Sequence, residues 1–163
     1  MLGGSSSINA MVYIRGQDRD YDGWAAKGNP GWGWQDLLPY FKKSEQNDQG
    51  GDTWRGDKGP LHVATMTRDL HPLCNRFVQA GQDCAQRFNP DFNGATQEGV
   101  GLYQNTAKGG FRMSTARAYL RPARRRKNLR VETHAHTTRV LFTGKTATAV
   151  EYRQNGELKT ARA

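Results

Sequence analysis

The 163-residue chain has only two cysteines, Cys74 and Cys84, and no CxxC pair. Ten residues of straight helix rise about 15 Å, too far for a disulfide between these two. Reduced thiols in a cytoplasmic setting are expected. Histidine is nearly as sparse: His62, His71, His134 and His136. His134 and His136 alternate as two residues on one strand face would, but they lack a third ligand, so no metal centre is expected. No apolar run approaches the roughly 18 residues of a membrane span, and no signal peptide is expected. Hydrophobic residues are only 36% of the chain, and the mean hydropathy is -0.85. Globular domains usually reach about 45–50% apolar, glycine included. The 19 glycines close most of that gap. The chain is therefore expected to bury a thin core, which a further segment would complete.

Acidic residues are outnumbered, 15 against 24 Lys and Arg, giving a formal charge of +9. Arg121, Arg124, Arg125, Arg126, Lys127 and Arg130 cluster near an expected helix end. Cations there complement the helix dipole. The cluster also admits another reading, a basic module docking an acidic partner or nucleic acid through Arg121–Arg130. Nucleic acid is not expected, because no base-reading or stacking motif accompanies the charge.

Glycine and serine are what the chain has in quantity, above all at its start. Gly3-Gly-Ser-Ser-Ser7 runs into a mostly apolar stretch, Ile8 to Ile14. Glycines permit positive φ and close backbone approach. Serine and asparagine cap helices. A Gly/Ser turn entering a helix offers N–H donors to an anionic or polar cofactor. An ordinary loop before a core segment would read the same way.

Further along, Asp18 or Asp20 is expected to cap a short helix carrying Tyr21 and Trp24 and ending at Gly28. Asn29-Pro-Gly-Trp-Gly33 reads as a turn. Leu37, Leu38 and Phe41 predict a helix from about Gln35 to Ser44, with Pro39 in its first turns. Glu45 to Lys58 is polar and predicts an exposed loop. A short strand follows at Leu61–Ala64, then a helix from Leu70 to Arg87 with Leu73, Phe77, Ala80, Gly81 and Cys84 on its apolar face. Leu102–Ala107 alternates like a strand. Ser114 or Thr115 should cap another helix, kinked or limited by Pro122. Extended segments are expected at Leu129–Thr133, Thr137–Phe142, Ala147–Arg153 and Leu158–Thr160, the last two joined at Asn155-Gly156.

The order of motifs carries more than any one of them. Leu2-Gly-Gly-Ser-Ser-Ser-Ile-Asn-Ala-Met-Val-Tyr-Ile-Arg-Gly16 is followed by Asp20-Tyr-Asp-Gly-Trp24, Gly31-Trp-Gly-Trp34 and Leu38-Pro-Tyr-Phe-Lys-Lys-Ser-Glu45. Gly59-Pro-Leu61, Tyr103-Gln104, Gly110-Phe-Arg-Met-Ser-Thr-Ala-Arg-Ala-Tyr-Leu-Arg-Pro-Ala123 and Asn128-Leu-Arg-Val131 come next. In this order the chain resembles the glucose–methanol–choline (GMC) oxidoreductase family, most of all its choline-dehydrogenase-type members. The resemblance covers essentially the whole chain.

That resemblance implies an FAD enzyme that oxidises alcohols by moving a hydride onto the flavin. It implies an α/β fold, α+β as excised. Residues 1–58 would be the flavin-contacting loop and helices of the FAD domain, 59–127 part of the substrate domain, and 128–163 strands returning to the FAD domain. Family chains are several times longer, with a Gly-rich dinucleotide fingerprint before this region and a catalytic His segment after it. This chain would then be an internal piece, inactive alone. No catalytic residue is assigned; His62 and His71 read as surface or loop residues. The cofactor-contacting positions implied are Gly3, Gly4, Ser5, Asn9, Ala10, Met11 and Val12, with Thr137 at the adenine. Some members carry a flavin-linked His where this chain has Ile8, so non-covalent FAD is expected. Ala10 would face the reactive flavin edge. A small alcohol is the implied substrate, and the electron acceptor stays open. The expected location is the cytoplasm, with peripheral attachment at the inner membrane as the alternative.

Overall fold

The computed structural model describes residues 1–66 and 70–162. They form two compact units, Met1–Ala123 and Arg124–Ala163.

The first unit begins with one 3-10 turn, Gly4–Ser7, and not with a helix over the apolar run. The Ser5 carbonyl accepts the N–H groups of both Ile8 and Asn9, and the turn stops there. Met11 takes φ 62, which breaks any helix. Val12–Tyr13 then forms β1, as β-branched and aromatic residues favour. It pairs antiparallel with β4, Gln104–Asn105. The expected strand at Leu102–Ala107 is thus two short pieces, β4 and β5 (Ala107–Lys108). Thr106 separates them, because its N–H bonds the Met11 carbonyl. A Gly109-Gly110 turn leads β5 into β6, Phe111–Arg112.

Helix α1 spans Asp18–Ala26 and α2 spans Trp34–Ser44. Gln17 caps α1, and Asp20 at the third helical position accepts the Gln17 N–H at 2.8 Å. Pro39 lies inside α2, in its opening turns as expected. The two helices meet through aromatics. Tyr21 stacks on Trp34 at 5.6 Å and meets Trp24 edge-on at 5.3 Å. Phe41 lies 5.5 Å from Tyr21. Of these Tyr21 is buried, as are Leu38, Val63, Phe92, Val100, Met113 and Ala118 elsewhere in the unit.

Glu45 to Lys58 departs from the exposed loop expected of it. Glu45–Asn47 is β2, a buried strand pairing parallel with β3, Leu61–Val63. Helix α3 runs Pro72–Asp83, shorter than the spacing suggested. His71 caps it and Pro72 opens it, where a missing N–H costs nothing. Ala85 at φ 62 ends it. Gly81 packs so closely that an added Cβ would stand 2.8 Å from Val100 Cγ2. Leu73 and Phe77 on the same helix are exposed. The unit closes with a π-helical turn, Ala116–Leu120, running into α4, Arg121–Ala123. Pro122 follows that wide turn, consistent with an irregular helix.

The second unit is an antiparallel meander of β7 (His136–Thr143), β8 (Thr146–Gln154) and β9 (Glu157–Arg162). The extended segment expected at Leu129–Thr133 is not a strand; pairing starts only at His136. Asn155 and Gly156 both take positive φ, the conformation of a type I′ hairpin turn. No described residue of this unit is buried. Among the described residues, no helix is long and apolar enough to cross a membrane, and no cluster of potential metal ligands occurs.

Candidate cofactor site

The Gly3–Val12 loop is built to hold an irregular backbone rigidly. Gly3 sits at φ 91, and a Cβ there would collide with Ser7 Oγ and press on Ala116 Cβ at 3.2 Å. Gly4, at φ 53, faces open space. Ser7 Oγ donates to the Leu2 carbonyl at 2.8 Å, and Ser6 Oγ donates to the Gly3 carbonyl at 2.5 Å. Asn9 Oδ1 accepts the Met11 N–H at 3.0 Å, closing the turn at Met11.

A second segment of the same unit grips this loop. Arg112 Nη1 donates to Asn9 Oδ1 at 2.9 Å and to the Ser6 carbonyl at 3.2 Å. Thr115 N–H donates to Ser6 Oγ at 2.9 Å, and Thr115 Oγ1 donates to the Gly3 carbonyl at 3.1 Å. Thr106 N–H donates to the Met11 carbonyl at 2.8 Å.

What stays open is informative. Ser5, Ile8, Asn9 and Ala10 are exposed. Ser5 Oγ and the Ala10 N–H have no hydrogen-bond partner among the described residues. Small side chains and free donors on one exposed ridge can receive a flat polar ligand.

Behind β1 lies a buried polar network. Arg15 and Glu45 are almost wholly buried and meet at 2.5 Å. Arg15 Nη1 also donates to the Trp54 carbonyl, and its guanidinium lies 5.3 Å from the Phe41 ring centre. Asn47 Nδ2 donates to Glu45 Oε1 at 2.8 Å, and Asn47 and Gln104 exchange amide hydrogen bonds. Asn93 clamps β1 by accepting the Arg15 N–H and donating to the Tyr13 carbonyl. Burial holds the Tyr13 phenol above its ordinary pKa, against the opposing pull of Arg15. Tyr13 is therefore neutral at physiological pH. Burial, then Lys108, pushes His62 below its ordinary value.

Of the positions that the sequence singled out, Gly3, Gly4, Ser5, Asn9, Ala10, Met11 and Val12 form one continuous loop. Thr137 belongs to the other unit, on β7 opposite Tyr152. Arg112, Thr115 and Thr106 were not singled out as site residues. Arg112 and Thr115 lie within the Gly110–Ala123 motif, whose polar residues amid apolar ones were the available signal. Arg121 opens α4, whereas Arg124, Arg125, Arg126, Lys127 and Arg130 lie exposed in the second unit. Arg130 forms an ion pair with Glu132.

The fold agrees with what the chain is similar to. A family model described as GMC oxidoreductase matches residues 1–163. The chain belongs to the GMC oxidoreductase family. An alcohol dehydrogenase [acceptor] from Pseudomonas putida is 50% identical over 94% of this chain and 28% of its own length. The mitochondrial choline dehydrogenase of Mus musculus is 46% identical over 95% of the chain and 26% of its own. Among solved structures, pyridoxine 4-oxidase from Mesorbium loti matches with TM-score 0.88 and 29% identity, over 97% of this chain and 31% of its own. An FAD-dependent oxidoreductase from Chaetomium thermophilum matches with TM-score 0.85 and 29% identity, over 98% and 30%. The chain thus spans less than a third of the length of these relatives.

Proposed function

We propose that this chain forms one wall of the cofactor site in an FAD-dependent enzyme that oxidises small alcohols, choline-like ones included. The observation that carries the reading is the Gly3–Val12 ridge. It keeps Ser5 Oγ and the Ala10 N–H free on an exposed surface while every bend around them is pinned. Those features suit a flavin, which needs fixed donors at its polar edge and room above its ring.

When bound, FAD supplies the chemistry by accepting the hydride that leaves the alcohol carbon. The part of this chain is to bind and orient. Gly3, Gly4 and Ser5 would lie along the cofactor, and Ala10 would keep its reactive edge uncrowded. Asn9, Met11 and Val12 would complete the loop, and Thr137 would contact the adenine through its backbone. Ile8 cannot form the flavin bond that a histidine there would, so FAD is held non-covalently. We assign residues 1–58 and 128–163 to the flavin domain and 59–127 to the substrate side. The proton acceptor for the alcohol is assigned to none of these residues. The two free cysteines, Cys74 and Cys84, favour a reducing compartment, the cytoplasm.

The test is reconstitution. Protein made from the complete reading frame is stripped of flavin and titrated with FAD, then supplied with choline or simple alcohols and a dye acceptor. A stoichiometric flavin spectrum that bleaches with alcohol is expected. Absence of flavin binding, or a bound flavin that no alcohol reduces, refutes the reading.

A further inference from the structure

The contacts that fix the loop converge from one short stretch, Thr106 to Thr115. Arg112 stands 103 residues from Asn9 in sequence, yet its Nη1 reaches both Asn9 Oδ1 and the Ser6 carbonyl. Asn9 Oδ1 also accepts the Met11 N–H, and Met11 occupies the left-handed region that non-glycine residues avoid. Such a conformation persists only when its surroundings over-determine it. Here the Met11 N–H is held by Asn9, the Met11 carbonyl by Thr106, and Asn9 itself by a cation. Hydrogen bonds from a charged donor are the stronger kind.

We propose that Arg112 and Thr115 are positioning residues that set the loop in its cofactor-receiving shape before FAD arrives, Arg112 acting through the Asn9 side chain. The inference rests on the reading of Gly3–Val12 as the flavin loop. A loop already ordered loses less freedom on binding, so affinity follows from the clamp without any contact between Arg112 and the cofactor. The role of Asn9 changes accordingly. Its amide oxygen is engaged by Arg112 and Met11, so it shapes the loop, while Ser5 Oγ and the Ala10 N–H remain for FAD.

The test compares wild type, Arg112→Met, Asn9→Ala, the double variant and Arg112→Lys, all made from the complete reading frame and stripped of flavin. FAD affinity is read by flavin fluorescence, and hydrogen exchange at the Met11 amide is read in the FAD-free protein. Arg112→Met should weaken FAD binding about tenfold or more and speed exchange at Met11. Arg112→Lys should recover part of both. The double variant should lose less affinity than the product of the two single losses, because the two side chains share the Arg112–Asn9 bond. Unchanged FAD affinity in Arg112→Met, or fully additive losses, overturns the clamp. Should Arg112→Met fail to fold, Thr115→Val removes only the hydroxyl's bonds to the Gly3 carbonyl and to Ser6 Oγ and should weaken FAD binding about three- to tenfold. Unchanged affinity there overturns the proposal as well. Wild type that binds no FAD overturns the flavin reading itself, a result seen before any substitution is compared.

Discussion

Arg15 and Glu45 show what a single buried charge demands. Neither side chain reaches water appreciably, and each has the other as its counter-ion. Removing one partner of a buried pair leaves the other uncompensated, at a cost of about 3–5 kcal/mol. Glu45→Gln should therefore lower the midpoint of urea unfolding by a corresponding amount, and a change within error would mean that the pair is dispensable. The surface pair Asp52–Arg55 behaves differently. Hydrogen bonds from the Arg55 side chain lower the Asp52 carboxyl from 3.8 to about 2. A carboxyl depressed in this way adds stability above its unfolded pKa and loses it as pH falls through about 2. Carboxyl NMR should show Asp52 titrating near 2, and Arg55→Met should raise it toward the ordinary carboxylate range, with the backbone N–H groups of residues 54 and 55 still holding it somewhat below. An Asp52 midpoint near 4 in wild type would contradict the pairing. The sequence could not foretell Arg15–Glu45, because a glutamate that opens a polar stretch ordinarily faces solvent. Its partner lies 30 residues away, and no local pattern joins the two.

At the scale of elements, local signals were legible where local physics decides. The spacing of Leu37, Leu38 and Phe41 gave α2, and Asn155-Gly156 gave the hairpin between β8 and β9. Where tertiary contacts decide, the pattern misled. The apolar run after Ser7 looked like a helix, but Gly3, Gly4 and Met11 at positive φ and the pairing with β4 make it a turn and a strand. Leu129–Thr133 reads as an extended segment but gained no strand partner. The meander of β7, β8 and β9 also carries a consequence of the scarce hydrophobic residues. Val140, Phe142 and Leu158 are exposed, and none of that unit's described residues is buried. A sheet needs a covered apolar face for independent stability. A peptide of residues 124–163 should therefore give no cooperative thermal unfolding by circular dichroism; a sharp two-state transition would contradict this.

At the scale of the whole molecule, the chain belongs to the GMC oxidoreductase family throughout its length, yet spans under a third of its relatives. The ordered series of motifs made that family legible, whereas composition and charge pointed nowhere in particular. The loop itself was legible as a Gly/Ser stretch. Its supports were not, since Arg112 and Thr115 meet it from more than a hundred residues away. The central claim is that residues 3–12 line a flavin. Hydrogen exchange on the flavin-stripped product of the complete reading frame, measured with and without FAD, tests it directly. Added FAD should slow exchange at the Ala10 amide and its neighbours within residues 3–12 while leaving the exposed face of α3 unchanged. Equal exchange across residues 3–12 with FAD bound would contradict the account.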